Sequence, residues 1–218
     1  MEIHLLCPFY RQYLAPTLVK YLKPMKIVWH PICDHVDIKP FKGNAEEWIR
    51  PVLCPPLKKG EQCYVKFNYF IDTQEIRGGD YYGFMGDDDM YEPGFFDQLR
   101  LQTAKIIINS NYRGDAIPDD GSAPHGTTPL IMRFLSDIRV NNIGLGMFFV
   151  KGVILKQTRF SSSYSGGDGR YAEELKRRWP RDIKILSDWF VFGNYFQPGR
   201  FTCKECFLKD NWELPKIV

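Results

Sequence analysis

Residues 81–89 read Tyr81-Tyr82-Gly83-Phe84-Met85-Gly86-Asp87-Asp88-Asp89, an apolar strand pattern that ends in three adjacent carboxylates. Carboxylates about 4 Å apart repel one another by ~1 kcal/mol per pair in water, and by more where solvent is partly excluded. A divalent cation removes that repulsion, because Mg²⁺ or Mn²⁺ binds through one or two carboxylates together with phosphate oxygens. The stretch therefore predicts a metal site at the carboxyl end of a strand. The alternative is a solvated acidic turn, with Pro93 at the first position of the helix that follows.

Short apolar runs alternate with helical patterns around this stretch. The patterns predict strands at 3–7, 26–30, 52–54, 81–85 and 105–109, and helices at 15–22, 63–71 and 95–104. This β-α-β-α-β order is typical of the α/β class, with a mostly parallel central sheet covered by helices. The second half is less regular. It predicts a long loop at 111–128, helices at 128–138 and 170–179, an active-site loop or linker at 161–167, and strands at 183–186 and 189–192.

The composition is that of an ordinary globular protein. The 218 residues suffice for one large domain or two small ones, and we interpret 1–218 as a single domain. The net charge of +3 is too small to indicate a nucleic-acid partner. No run approaches the ~18 apolar residues of a membrane span, and the N-terminus lacks the pattern of a signal peptide. We therefore expect a cytoplasmic protein.

Six cysteines are spread along the chain, and two of them, Cys203 and Cys206, have the spacing of metal ligands. A zinc site needs a second ligand pair, which the neighbouring sequence does not offer. Free thiols are the interpretation that the pattern favours, and a redox pair is the alternative.

Ligands of open α/β sheets bind beyond the carboxyl ends of the strands. The residues there include Pro8 and Tyr10 after the first strand, Asp34 after the second, and Asp87, Asp88 and Asp89 after the fourth. The chain has no glycine- and lysine-rich phosphate loop and no dinucleotide-binding glycine motif after the first strand. A nucleotide that binds here would hold its diphosphate through a metal ion.

At this point the chain resembles the A-type glycosyltransferases, and the inverting family 2 group most closely. The resemblance covers roughly residues 3–180, and it rests on an ordered set of motifs: Ile3-His4-Leu5-Leu6-Cys7-Pro8-Phe9-Tyr10, Lys66-Phe67-Asn68, residues 80–96, residues 144–150, and Gly167-Asp168-Gly169-Arg170-Tyr171-Ala172-Glu173-Glu174-Leu175. The family pattern has an aspartate where this chain has Gly86, and a glutamate where it has Gly167.

The resemblance implies a three-layer fold with helices on both faces of the sheet. It implies a nucleotide-sugar-binding half at 1–110 and an acceptor-side half with a C-terminal arm at 111–218. The donor would be a nucleotide diphosphate sugar, and Asp87 and Asp89 would hold Mn²⁺ or Mg²⁺ against its diphosphate. Pro8, Tyr10, Asp34, Asn68, Asp87 and Asp88 would line the donor pocket.

Inverting transfer also needs a general base on the acceptor hydroxyl. Asp168 is the candidate base, and its position before a helix also suits an N-cap. Asp188 is the alternate base. The acceptor would be a glycan, a lipid-linked sugar or a small molecule. A lipid-linked acceptor would suit the aromatic C-terminal region, and peripheral contact with a membrane is a further expectation.

Two other functions fit the same residues. One is a metal-dependent nucleotidyltransferase that uses the carboxylate run. The other is a non-catalytic relative that binds a nucleotide or sugar. The departures from the family pattern at Gly86 and Gly167 favour this alternative.

Overall fold

The computed structural model describes residues 1–34, 36–41, 46–59, 61–92, 94–114, 131–134, 137–140, 142–161 and 166–193. The strands are β1 (Ile3–Pro8), β2 (Val28–Cys33), β3 (Val52–Leu53), β4 (Tyr81–Phe84), β5 (Met90–Tyr91), β6 (Ile106–Gly114), β7 (Ile131–Phe134), β8 (Phe148–Lys151) and β9 (Ile183–Gly193). The α-helices are α1 (Ala15–Leu22), α2 (Tyr64–Thr73), α3 (Phe95–Arg100), α4 (Gly152–Leu155) and α5 (Gly167–Arg178). Cys203, Cys206 and the C-terminal arm lie outside the described residues.

The first half of the chain builds a parallel sheet. β1 lies between β2 and β4 and is parallel to both, and β3 continues the parallel pairing beyond β2. Leu6 of β1 is opposite His30 on one side and Phe84 on the other. The carboxyl ends of these strands therefore meet at one edge, which confirms the prediction for the strands near 3–7, 26–30 and 81–85.

The second half makes the sheet mixed. β8 is antiparallel to both β4 and β6, β7 is antiparallel to β6, and β5 is antiparallel to β9, while β9 is parallel to β6. The prediction of a mostly parallel sheet is therefore not confirmed, and the fold is α/β with a mixed sheet. The physical reason is that apolar periodicity reports which face of a strand is buried, but not the direction in which the strand runs.

Three local predictions in this half were wrong. Residues 111–114 belong to the strand β6, where the sequence predicts the start of a long loop. Residues 131–134 form the strand β7, where the sequence predicts a helix. β9 is one continuous strand, where the sequence predicts two with a turn at Ser187 and Asp188. The register of the β6–β9 pairing shifts between Asn109 and Ser110. Ser187 and Asp188 therefore lie in an irregularity of the ladder and not in a turn.

α2 confirms the helical spacing read from the sequence. Its buried residues include Phe67, Phe70 and Ile71, which form the apolar stripe, and also Lys66. Aromatic side chains form part of the core: Phe160 stacks on Tyr171 with ring centroids 4.1 Å apart. Among the described helices, none has both the length and the apolar character needed to cross a bilayer.

Candidate active site

The loop after β1 is bound directly to the carboxylate run. The backbone N–H groups of Tyr10 and Arg11 each donate a 2.8 Å hydrogen bond to Oδ2 of Asp87. The guanidinium of Arg11 also pairs with Oδ1 of Asp87, and it lies 3.4 Å from Oδ2 of Asp88. These bonds place the ends of β1 and β4 side by side, as parallel pairing requires.

All three carboxylates of the run are buried. Asp87, Asp88 and Asp89 are 2%, 5% and 7% exposed, so the run is not a solvated acidic turn. Burial raises the pKa of Asp87, and the charge of Arg11 and the two backbone N–H groups act in the opposite direction. Because both oxygens of Asp87 have partners, its main role in this structure is to hold the loop after β1. A metal ion at Asp87 would have to displace Arg11.

Gly86 explains how three carboxylates fit into this space. A Cβ atom at position 86 would lie 2.9 Å from Oδ1 of Asp88 and 3.0 Å from Oδ2 of Asp89. Without that atom, Oδ2 of Asp89 approaches the backbone and accepts a 2.7 Å hydrogen bond from the Gly86 N–H. A side chain at position 86 would therefore require Asp88 and Asp89 to move.

Tyr10 and Lys66 form the side of the site next to Asp87. The Tyr10 ring is 42% exposed, and the Nζ atom of Lys66 lies 3.8 Å from the centre of that ring. Lys66 is only 2% exposed, and its Nζ has no hydrogen-bond partner. Buried ammonium groups are normally paired. A buried cation without a hydrogen-bond acceptor is a feature that an anionic ligand would satisfy.

Asp168 lies in the first turn of α5. Helix α5 begins at Gly167, so Asp168 is inside the helix and the predicted N-cap position is taken by Gly166. Its Oδ1 accepts a 2.9 Å hydrogen bond from the Gly169 N–H. Burial raises the pKa of Asp168, while a hydrogen bond from the Tyr64 hydroxyl lowers it. A partly exposed carboxylate with a raised pKa has the properties of a general base.

The thiol of Cys63 lies within electrostatic reach of both Asp168 and the carboxylate run. Burial raises the pKa of its thiol to about 11, and the charges of Asp168 and Asp87 both add to that rise. One side chain at the start of α2 is therefore within electrostatic reach of both. A base that serves a donor held at the carboxylate run must face the same cleft as the run, and that arrangement of Asp168 stays a prediction.

Gly167 also has a packing explanation. A Cβ atom there would lie 2.8 Å from Cε2 of Tyr64 and 3.0 Å from the Ser161 carbonyl oxygen. The glutamate of the family pattern would not fit here unless Tyr64 moved. The Tyr64 ring thus occupies the space that a side chain at position 167 would need. The same tyrosine also acts to lower the pKa of Asp168.

The remaining predicted site residues have structural partners. Oδ1 of Asp34 accepts hydrogen bonds from the N–H groups of Val36 and Asp37, which is a local turn. The Asn68 side chain donates to the Phe160 carbonyl and accepts from the Phe160 N–H. Their binding roles stay predictions without a supporting contact. Pro8 is buried at the end of β1, and Asp188 is exposed on β9.

Sequence reasoning missed Arg11 and Lys66. Arg11 directly follows the Pro8–Tyr10 motif, so its place at the carboxyl edge of the sheet was a usable signal. Lys66 lies one residue from the apolar stripe of α2, and a lysine there is typical of a solvated helix flank. In the folded protein the centre of the Tyr10 ring lies 3.8 Å from Nζ of Lys66, a contact that no local pattern in the sequence predicts.

A different group of side chains has the spacing of preformed metal ligands. Among the described residues, the group of three potential ligands whose donor atoms lie within 4.8 Å of one another is Glu2, His4 and Asp80. These residues lie at the amino ends of β1 and β4, at the opposite edge from the carboxylate run. The carboxylate run can supply one or two carboxylates to a metal ion. A bound substrate molecule would fill the remaining coordination positions.

Comparison with known proteins adds no assignment. No protein-family model matches the chain, and no curated protein matches it.

Proposed function

We propose that the chain is a metal-dependent glycosyltransferase that moves a sugar from a nucleotide diphosphate sugar to an acceptor, with inversion. The observation that carries the proposal is the cluster at the carboxyl edge of β1 and β4. Three buried carboxylates lie there beside an exposed aromatic ring and a buried ammonium without a hydrogen-bond acceptor. The motifs shared with A-type glycosyltransferases support it, and the three-layer arrangement of that fold is part of the proposal.

The donor would bind across Tyr10. Its base or ribose would pack on the exposed face of the Tyr10 ring, and its diphosphate would reach Asp88 and Asp89 through Mn²⁺ or Mg²⁺. The donor set fits a hard cation, because it consists of carboxylate oxygens. The metal would supply neutralisation of the charge that develops on the leaving diphosphate. Arg11 and Lys66 would add fixed positive charge at the same edge.

Asp168 would take the proton of the acceptor hydroxyl. The N–H of Gly169 donates to this carboxylate, and it and the Tyr64 side chain both act to lower the pKa of Asp168, so they favour its ionised form. Burial acts against ionisation and makes the carboxylate more basic. The acceptor is assigned only by class: a glycan, a lipid-linked sugar or a small molecule. A cytoplasmic location stays a prediction.

One observation favours a second function, that of a non-catalytic nucleotide- or sugar-binding protein. Arg11 already neutralises part of the carboxylate charge, and the backbone N–H groups of Tyr10 and Arg11 occupy the second oxygen of Asp87. A site balanced in this way does not need a metal ion to fold. It could bind a donor through Tyr10 and Lys66 without activating the diphosphate.

Donor hydrolysis separates these functions. The protein is incubated with a panel of nucleotide diphosphate sugars and Mn²⁺, and released nucleoside diphosphate is measured. Metal-dependent release supports the glycosyltransferase. Saturable donor binding without release supports the binding protein. Release of pyrophosphate from nucleoside triphosphates, with nucleotide sugars left intact, would instead support a nucleotidyltransferase.

A further inference from the structure

A second cluster of polar side chains lies at the amino ends of β1 and β4. Nε2 of His4 is 3.6 Å from Oδ2 of Asp80 and 3.8 Å from Oε2 of Glu2. His4 is only 5% exposed, and neither its Nε2 nor Oε2 of Glu2 has a hydrogen-bond partner. A buried imidazole nitrogen thus faces two carboxylates at distances longer than a normal hydrogen bond.

The distances fit two ligands of one ion better than a hydrogen bond. A hydrogen bond between these atoms would be about 2.7–3.2 Å long. Two ligands that are each about 2.0–2.2 Å from a tetrahedral metal ion lie roughly 3.4 Å apart. The observed separations of 3.6 and 3.8 Å are too long for the first arrangement and close to the second.

The second ring nitrogen of His4 is held by a neighbouring imidazole. Nδ1 of His4 lies 3.0 Å from Nε2 of His30, so one of the two nitrogens donates to the other. In the tautomer in which His4 donates from Nδ1, its Nε2 carries a lone pair that a metal ion could bind.

Neighbouring groups orient the side chains of the cluster. In metal sites, the polar atom of a ligand residue that does not bind the metal is usually hydrogen-bonded to a neighbour. Oδ1 of Asp80 accepts a 2.7 Å hydrogen bond from the Glu2 N–H. The ring of His4 stacks on Tyr82, with ring centroids 4.6 Å apart and planes 9° from parallel.

A cavity of about 190 Å³ adjoins His4. Its lining includes His4, His30, Arg50, Arg77 and Tyr82. Nη1 of Arg77 lies 3.5 Å from Oε2 of Glu2, but the Arg77 side chain is 63% exposed and can turn into solvent. The cavity gives an ion at the cluster an open side.

We propose that Glu2, His4 and Asp80 bind one divalent transition-metal ion, with the remaining coordination position facing this cavity. One imidazole nitrogen and two carboxylate oxygens form a set that Zn²⁺, Co²⁺ and related ions accept. Three protein ligands with one open position are the arrangement of sites that bind water or a small anion at the metal. Arg50 and Arg77 would favour an anionic molecule at that position. This site is separate from the carboxylate run and does not depend on its function.

The test is a titration of the purified protein with Co²⁺, followed by visible absorption, and with Zn²⁺, followed by calorimetry. We expect one equivalent to bind, with a Co²⁺ spectrum that lacks the charge-transfer bands of thiolate ligands. Glu2→Gln and Asp80→Asn should each weaken binding by at least about tenfold. Glu2 is partly exposed, so the Glu2→Gln variant is expected to fold even if Asp80→Asn does not.

Glu75→Gln is the matched control, because it removes a carboxylate that lines the cavity and does not belong to the proposed ligand set. It should keep the Zn²⁺ affinity of the wild type. The proposal is overturned if no saturable binding occurs, if Glu2→Gln binds as the wild type does, or if binding is lost in Glu75→Gln and kept in Asp80→Asn.

Discussion

Replacement of Lys66 by methionine tests whether the site is built for an anionic ligand. Burial of an ammonium group costs several kcal/mol even after the protein relaxes. In this structure the group receives a cation–π contact from Tyr10, worth about 2 kcal/mol when water is excluded. The charge of Lys66 also acts on Asp34, but water around that carboxylate screens the attraction.

The balance of these contributions predicts a more stable variant. Methionine fills nearly the same volume without a charge, so Lys66→Met should raise the free energy of unfolding by about 2 kcal/mol. For a chain of this size, about 2 kcal/mol corresponds to a rise in Tm of about 4–8 °C. The same change removes a charged hydrogen-bond donor worth about 1.5–3 kcal/mol to a bound diphosphate. Affinity for a nucleoside diphosphate should therefore fall by about 10- to 100-fold.

Thermal unfolding measures the first effect, and calorimetry with nucleoside diphosphates and Mn²⁺ measures the second. Lys156→Met is the control, because that lysine is exposed at the end of α4 and should change stability by less than about 0.5 kcal/mol. The reasoning fails if Lys66→Met is less stable than the wild type and binds nucleotides equally well. Lys66 would then be a structural cation that balances the carboxylates around it.

Three further variants test the other residues of the site. Asp168→Asn should leave donor binding nearly intact and slow transfer by roughly two to four orders of magnitude, as measured by product formation; full activity would move the base to Asp188. Tyr64→Phe removes a hydrogen bond that lowers the pKa of Asp168, so that pKa should rise. Since the base must be ionised, the acid limb of the pH–rate profile should then move to higher pH, and an unmoved or lowered limb would contradict the contact. Asn68→Ala leaves the N–H and carbonyl of Phe160 without partners, so it should lower the free energy of unfolding by about 1–3 kcal/mol. Thermal unfolding measures this effect, and an unchanged Tm would show that the two hydrogen bonds do not stabilise the protein.

The sequence was sufficient to predict the parallel part of the fold. β1, β2 and β4 are each apolar, and helical patterns separate them in the chain, so parallel pairing through crossovers was the expected solution. The second half lacks this regular alternation. β8 inserts between β4 and β6 and runs antiparallel to both, a placement that no local pattern encodes.

The same distinction applies to the candidate site. The carboxylates at 87–89 could be predicted because they follow directly on an apolar strand. The pairing of Arg11 with Asp87 joins residues 76 positions apart, and it depends on the parallel register of β1 and β4. Glu2, His4 and Asp80 are brought together by that same register, in which Ile3 lies opposite Tyr81. No spacing rule for metal ligands could have identified residues so far apart in sequence.

The release of nucleoside diphosphate from nucleotide sugars by the wild type and by Asp89→Asn, with and without Mn²⁺, is the most direct test of the proposed function. Release by the wild type should need Mn²⁺, and Asp89→Asn should lose that release while it stays folded. Asp89 accepts a hydrogen bond from Gly86 through one oxygen, and an asparagine oxygen can accept the same bond. Release by Asp89→Asn at the wild-type rate, or no release by the wild type from any donor, would contradict a metal-dependent glycosyltransferase.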